Sequence, residues 1–188
     1  MYKYFFKKYS TINTKYGKVK GLEKKYNDKM IFCYYNIPYA QPPIKNLRWK
    51  PPILWKNKYQ VDILDCTKIK NIAFQNNKIN FLYKKEKIKK KKQKNLIKNI
   101  YSNIKNKIYN FNQSEDCLYL NIFTPTCNRN KLPVVIWFNG QHFQSNKLFH
   151  KNNSIIEKNI VYINFNYRLG IFGFYVHHEL DKESIHNC

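Results

Sequence analysis

Acidic residues are scarce in this sequence. Its 188 residues contain 11 Asp and Glu against 35 Lys and Arg, which gives a formal net charge of +24 at pH 7. Such a charge is typical of proteins that bind nucleic acid or anionic membranes. However, Asn, Ile, Tyr and Phe are enriched together with Lys, and Asn and Tyr add nothing to a basic binding face. Drift toward A/T-rich codons explains this pattern better, so we do not expect a nucleic-acid partner.

Long apolar runs are also missing. No stretch reaches the length of about 18 apolar residues that a transmembrane helix needs, so no transmembrane segment is predicted. The N-terminus reads MYKYFFKKYS, and Lys3, Lys7 and Lys8 interrupt any apolar core of signal-peptide length. The sequence therefore predicts no signal peptide and leaves the compartment open.

Cysteine pairs with metal-binding spacing are absent. The five cysteines are Cys33, Cys66, Cys117, Cys127 and Cys188, and no two of them form a Cys-x-x-Cys motif. This spacing does not favour a zinc site or a thioredoxin-type redox site. We expect no metal and no cofactor.

Glycine is rare as well, and no glycine opens a nucleophile elbow. A serine hydrolase of the α/β type places its serine in a Gly-x-Ser-x-Gly turn. The residues two positions after the five glycines are Val19, Glu23, His142, Phe172 and Tyr175. None is serine, so the sequence assigns no catalytic residue in this chain.

Several segments do have a strand pattern. Apolar runs cover Leu118 to Thr124, Val134 to Phe138 and Ile160 to Asn166, and the last two are nearly continuous. Continuous runs are typical of strands covered on both faces. A short helix is predicted between them, over Leu148 to Lys158, which implies a parallel crossover. Upstream, Tyr16 to Lys20 and Met30 to Tyr35 predict an antiparallel pair at the sheet edge. The fold class is therefore α/β, with antiparallel edge strands and parallel central strands.

A lysine-dominated segment interrupts this pattern at about 76–112. It includes the run KKEKIKKKKQKNLIKNIYSNIKNKI. Four isoleucines, at positions 97, 100, 104 and 108, recur at helical spacing, so a frayed amphipathic helix is compatible with the segment. We interpret the segment as a solvated insertion.

Four blocks resemble the type-B carboxylesterase/cholinesterase family. They are TKYGKVKGL at 14–22, NIPYAQPPIKNLRWKPP at 36–52, SEDCLYLNIFTP at 114–125 and NYRLGIFGF at 166–174. The resemblance implies the N-terminal portion of an α/β-hydrolase fold. It defines a partial domain over 11–176, with flanking segments at 1–10 and 177–188. In the order of the family's motifs, the nucleophile elbow comes after the last of these four blocks.

The resemblance also locates an oxyanion loop. The family writes this loop as His or Tyr, three glycines and Phe, and its backbone N–H groups stabilise the reacting oxyanion. The matching residues here are Asn139, Gly140, Gln141, His142 and Phe143. Two of the three glycines are replaced, so we interpret the loop as degraded. We expect Gly140 to keep an unusual backbone conformation and Gln141 and His142 to project into the substrate space.

Three further positions carry structural roles in the family. Arg48 and Glu115 match residues that form an ion pair. Cys117 matches a cysteine that forms a disulfide with a cysteine just before an upstream glutamine. Ala73 stands at that upstream position here, and Cys66 lies seven residues earlier. The expected disulfide is therefore in doubt.

Three functional hypotheses follow from the resemblance. The chain is part of a carboxylic ester hydrolase whose catalytic machinery lies elsewhere, and its ligand is then a small carboxylic ester. Alternatively, it is a non-catalytic, neuroligin-like relative that binds protein partners, or a degenerate product without selected activity. Members of the family are often secreted.

Overall fold

A mixed β-sheet dominates the structure. The computed structural model describes residues 8–26, 28–75, 112–128, 131–140, 142–144 and 158–183. Within these ranges the chain forms nine strands and two short helices. The strands are β1 (Lys8–Thr14), β2 (Gly17–Tyr26), β3 (Lys29–Pro38), β4 (Ile63–Asp65), β5 (Asn71–Ile72), β6 (Asn112–Gln113), β7 (Tyr119–Thr124), β8 (Val134–Trp137) and β9 (Val161–Phe165). The helices are α1 (Ile171–Phe174) and α2 (His178–Glu183), and a 3₁₀ turn covers Lys45–Leu47.

The main sheet has the strand order β1-β2-β3-β7-β9-β8, with β4 paired to β2. The pairs β8–β9 and β2–β4 are parallel, and the other pairs in this sheet are antiparallel. A separate parallel pair joins β5 to β6. The predicted mixed sheet is therefore confirmed. Its antiparallel pairing extends from the N-terminal edge to β9, and the parallel pair β8–β9 lies at the other edge of the described sheet and not at its centre.

The N-terminal edge is larger than the sequence predicted. The predicted pair, Tyr16 to Lys20 and Met30 to Tyr35, corresponds to the longer strands β2 and β3, and β1 was not predicted. Strand β1 has few apolar residues, and its partners on β2 stabilise it, as in the pair Ile12↔Val19. Gly17 allows the tight turn between the two strands because it adopts a φ of 129°.

The three C-terminal strands agree with the sequence pattern. Strands β7, β8 and β9 lie within the predicted runs, and β8 and β9 pair in parallel from Val134↔Val161 to Trp137↔Asn164. The predicted helix between them falls almost wholly on residues 145–157, outside the described residues. The lysine-rich segment and its predicted helix also lie outside them, except for Asn112.

One face of the main sheet, here called the inner face, is covered. Its core contains Ile31, Cys33, Tyr35, Phe123 and Tyr162, and Ile69 packs against this cluster from the segment that follows β4. Burial in this cluster, and in a second cluster around Tyr34 on the opposite face of β3, stabilises the sheet.

A row of asparagines crosses the same inner face next to this core. Asn121 accepts a hydrogen bond from the backbone N–H of Asn36 at 3.0 Å and donates one to Asn164 Oδ1 at 2.8 Å. Asn36 Oδ1 accepts from the N–H of Lys70 at 3.1 Å. Since buried polar groups are costly without partners, this chain of bonds allows amides to lie inside the fold. It also anchors the segment that follows β4 to the sheet.

The opposite, outer face of β8 is exposed. Val134, Ile136 and Phe138 alternate along the strand and are 55%, 53% and 72% exposed. A run that is apolar on both faces is typical of a strand covered on both faces in the complete fold. Within the described residues the outer face of β8 has no such cover.

We expect this exposed face to cause self-association, because contiguous apolar patches on edge strands are aggregation sites. Replacing Ile136 by Lys places a charge on the exposed face. It should raise the monomer fraction of the purified chain with a change of less than about 0.5 kcal/mol in the free energy of unfolding. Light scattering after size exclusion and urea unfolding measure the two quantities.

The matched control is Val135→Thr. Val135 packs against the inner core, so its replacement by a polar residue should cost about 1–3 kcal/mol and leave self-association unchanged. A wild-type chain that is monomeric and melts in one sharp transition would contradict the expectation.

Candidate functional site

The candidate site lies at the carboxyl ends of β8 and β9. Because these strands are parallel, their following loops emerge at the same edge of the sheet, where ligand sites of parallel sheets are found. We call residues 138–144 the β8 loop and residues 166–170 the β9 loop. The β8 loop contains the residues that match the oxyanion loop, and the structure describes all of them except Gln141.

The β9 loop holds the β8 loop in place. The Tyr167 hydroxyl donates a hydrogen bond to the carbonyl oxygen of Asn139. The Gly170 N–H donates to the carbonyl oxygen of Phe143 at 2.8 Å. The Phe143 ring also contacts the Phe174 ring at a centroid distance of 4.5 Å. The two ends of the β8 loop are therefore tied to the chain that follows β9, which sequence reasoning did not predict.

Asn139 is a buried residue near the start of the β8 loop. It is 6% exposed, and its Oδ1 accepts a hydrogen bond from Trp137 Nε1 at 3.1 Å. Its carbonyl oxygen is the acceptor for Tyr167. Asn139 therefore anchors the loop to the sheet and does not face solvent.

The unusual backbone conformation lies later in the loop than predicted. Left-handed φ angles occur at His142, with 54°, and at Phe143, with 57°. Gly140 does not adopt a left-handed φ, so the prediction for this residue is wrong. A Cβ atom at Gly140 would meet no atom within 4 Å. The chain reverses at His142 and Phe143, and therefore neither backbone strain nor packing requires glycine at position 140.

His142 is a costly residue for its position. It stands where the family pattern has the third glycine, and non-glycine residues pay a steric penalty in the left-handed region. His142 is exposed, so its side chain makes no buried contact that offsets the penalty.

Replacing His142 by Gly should therefore stabilise the chain by about 0.5–1 kcal/mol, since glycine adopts this φ without strain. Urea unfolding measures the change. The matched control is Gln144→Gly, two residues later in an exposed position without a left-handed φ. This second change should destabilise by a similar amount through the entropy of the unfolded chain. Equal signs for the two variants would contradict the assignment of strain to His142.

A second cluster lies beside the β9 loop. Arg48 Nε donates to Glu115 Oε2 at 2.5 Å, and a second guanidinium nitrogen donates to Oε1 at 2.7 Å. This bidentate pair connects the 3₁₀ turn to the segment before β7. Bidentate geometry is the strongest form of this interaction, so the pair fixes the relative position of the blocks at 36–52 and 114–125.

Cys117 lies behind this ion pair as a buried thiol. Burial raises its pKa to about 12, so it stays protonated near neutral pH. Ala73 is 1% exposed and packs in the same core cluster as Cys117. Cys66 packs in a different cluster, with Val19 and Tyr34. Among the described residues Cys33, Cys66, Cys117 and Cys127 are free thiols.

Two histidines near the end of the described chain lie outside these clusters. His177 and His178 have ring centroids 4.4 Å apart, and His178 Nε2 lies 3.0 Å from Glu179 Oε1. Both are exposed. Within the described ranges no three potential metal ligands cluster. No helix in the described part of the chain has the length and apolarity needed to cross a membrane.

Comparison with known proteins agrees with this architecture. The model of the Carboxylesterase family matches residues 8–187. The chain is 31% identical over 170 residues to para-nitrobenzyl esterase of Bacillus subtilis, covering 87% of this chain and 28% of the relative. It is 33% identical over 172 residues to carboxylesterase 5A of Mus musculus, covering 86% and 26%.

A third relative is a protein named as an acetylcholinesterase. The chain is 30% identical over 169 residues to acetylcholinesterase 4 of Caenorhabditis briggsae, covering 87% of this chain and 24% of that protein. The chain spans about a quarter of the length of the curated relatives it matches. The sequence motifs, the mixed sheet and these similarities together place the chain in the carboxylesterase family, whose fold is the α/β-hydrolase fold.

Proposed function

We propose that this chain is the N-terminal portion of a carboxylic ester hydrolase and that it is inactive as the 188-residue chain. It supplies the oxyanion side of the site and lacks the serine, acid and histidine that act as one unit. The observation that carries the proposal is the β8 loop. It follows β8 at the carboxyl end of a parallel pair and is tied to the β9 loop, while the sequence has no Gly-x-Ser-x-Gly motif.

The substrate class of the complete protein is a small carboxylic ester. The relatives include proteins named as esterases and cholinesterases. The partial domain covers 11–176, with the lysine-rich segment inserted at about 76–112. The chain on either side of that segment supports an insertion, because the Gln75 N–H donates to Gln113 Oε1 at 3.0 Å and the two sides pair as β5 and β6.

The purified chain should hydrolyse a short-chain aryl ester no faster than buffer. The test measures product release, and a fluorophosphonate probe measures any activated serine. The His142→Ala variant is the matched control, because it removes the imidazole of the loop. Turnover that persists in His142→Ala and stops after organophosphate treatment would overturn the proposal.

A non-catalytic, neuroligin-like role in binding a protein partner is the alternative. The replaced glycines of the β8 loop and the exposed apolar face of β8 favour it. Sequencing transcripts downstream of Cys188 separates the two functions. An in-frame block with serine in the elbow supports the hydrolase, and an intact fold with a replaced serine supports the binding protein.

A further inference from the structure

Two buried amide atoms at the root of the β8 loop lack partners among the described residues. Within that part of the chain Asn139 Nδ2 and Asn166 Oδ1 have no hydrogen-bond partner, although Asn139 and Asn166 are only 6% and 2% exposed. One atom is a donor and the other is an acceptor. Buried polar groups without partners are rare because they lose their hydration without compensation. Each of these two atoms is therefore expected to have a hydrogen-bond partner in the folded protein.

The orientation of both amides is determined by their other bonds. Asn139 Oδ1 accepts from Trp137 Nε1, which only donates, so the opposite atom of Asn139 is the NH₂ group. Asn166 Nδ2 donates to the carbonyl oxygen of Asn71 at 3.2 Å, and a carbonyl oxygen only accepts. Exchanging oxygen and nitrogen in either amide would break an existing bond. The unpartnered atoms are therefore a true donor and a true acceptor.

The strand register, extended beyond its last paired residues, brings these two residues to neighbouring positions. The parallel pairing of β8 and β9 ends at Trp137↔Asn164. The centroids of the Phe138 and Phe165 rings lie 5.0 Å apart, which continues this register by one step. If the register is extrapolated by one more step, Asn139 stands opposite Asn166. The Tyr167 hydroxyl bonds to the Asn139 carbonyl in the same part of the fold.

We propose that Asn139 and Asn166 form a binding site for one structural water molecule. The water accepts a hydrogen bond from Asn139 Nδ2 and donates one to Asn166 Oδ1. A single water satisfies a donor and an acceptor together, and buried waters typically occupy such polar positions. The water connects the root of the β8 loop to β9 and so helps to position the oxyanion backbone. The site is independent of whether the chain is catalytic.

Side-chain NMR of the full chain, labelled with ¹³C,¹⁵N-asparagine and held soluble on a fusion partner, tests the proposal. The Asn139 Nδ2 protons should show a rotating-frame Overhauser peak to water, whose sign separates contact from proton exchange. Asn121 Nδ2 is the internal control, because it is bonded directly to Asn164 Oδ1, and it should show no such peak.

The Asn166→Leu variant removes the acceptor and should abolish the Asn139 water peak while the Asn121 signal stays unchanged. If this variant does not fold, the test is the presence or absence of the Asn139 water peak in the wild-type spectrum. Absence of a water peak at Asn139 would overturn the proposal. A scalar coupling through a hydrogen bond from Asn139 Nδ2 to the side-chain carbon Cγ of Asn166 would also overturn it, because the two amides would then be paired directly.

Discussion

A complete carboxylesterase that carries Gln and His in place of the second and third glycines of its oxyanion loop is expected to lose about 10²–10³-fold in turnover. This is the cost of losing about one oxyanion donor, or roughly 3–4 kcal/mol. Two causes combine. The side chains occupy space that the acyl group needs, and the third position takes a left-handed φ in this chain, at His142, which a bulky residue adopts with strain.

The reciprocal change in this chain is the matched control. Glycines at positions 141 and 142 should restore no turnover, because the nucleophile, base and acid are still missing. The measurement is kcat for a short-chain aryl ester in the complete relative, with an unchanged melting temperature as a check of folding. A loss of less than about fivefold, well below the oxyanion-donor scale, would show that the loop tolerates these side chains. Our interpretation of the β8 loop as degraded would then be wrong.

Restoring the family cysteine at position 73 is expected to form a disulfide with Cys117. Ala73 and Cys117 share one core cluster, and their neighbours are already bonded across the gap. Asn71 Nδ2 donates to the Asp116 carbonyl at 3.1 Å, and the Ser114 N–H donates to the Ile72 carbonyl at 2.9 Å. Closing a loop of about 44 residues should stabilise the chain by about 4 kcal/mol in the chain-entropy model.

Urea unfolding of Ala73→Cys with and without reductant measures this gain, and a thiol count measures the bond. The gain should disappear when the disulfide is reduced. Ala73→Ser is the matched control, because it adds a side-chain atom of similar size that cannot form a bond to sulfur. A variant that keeps all its thiols under oxidising conditions would show that positions 73 and 117 do not meet disulfide geometry.

Local sequence pattern determined three strands, the family and one ion pair of this protein. Apolar runs of strand length at 118–124, 134–138 and 160–166 were sufficient to predict β7, β8 and β9. The family motifs were sufficient to identify the carboxylesterase family, which comparison with known proteins confirmed. They also named Arg48 and Glu115, which the structure pairs in bidentate geometry.

Long-range packing decided the rest. Strand β1 exists because β2 pairs with it, and its own residues carry little signal. The left-handed turn lies at His142 and Phe143 and not at Gly140, and the Phe143 carbonyl at this turn is bonded to Gly170, 27 residues away along the chain. The burial of Asn139 and the open outer face of β8 also depend on which segments reach each side of the sheet. Sequence periodicity reports which side chains avoid water, but only the tertiary structure decides which of them are covered.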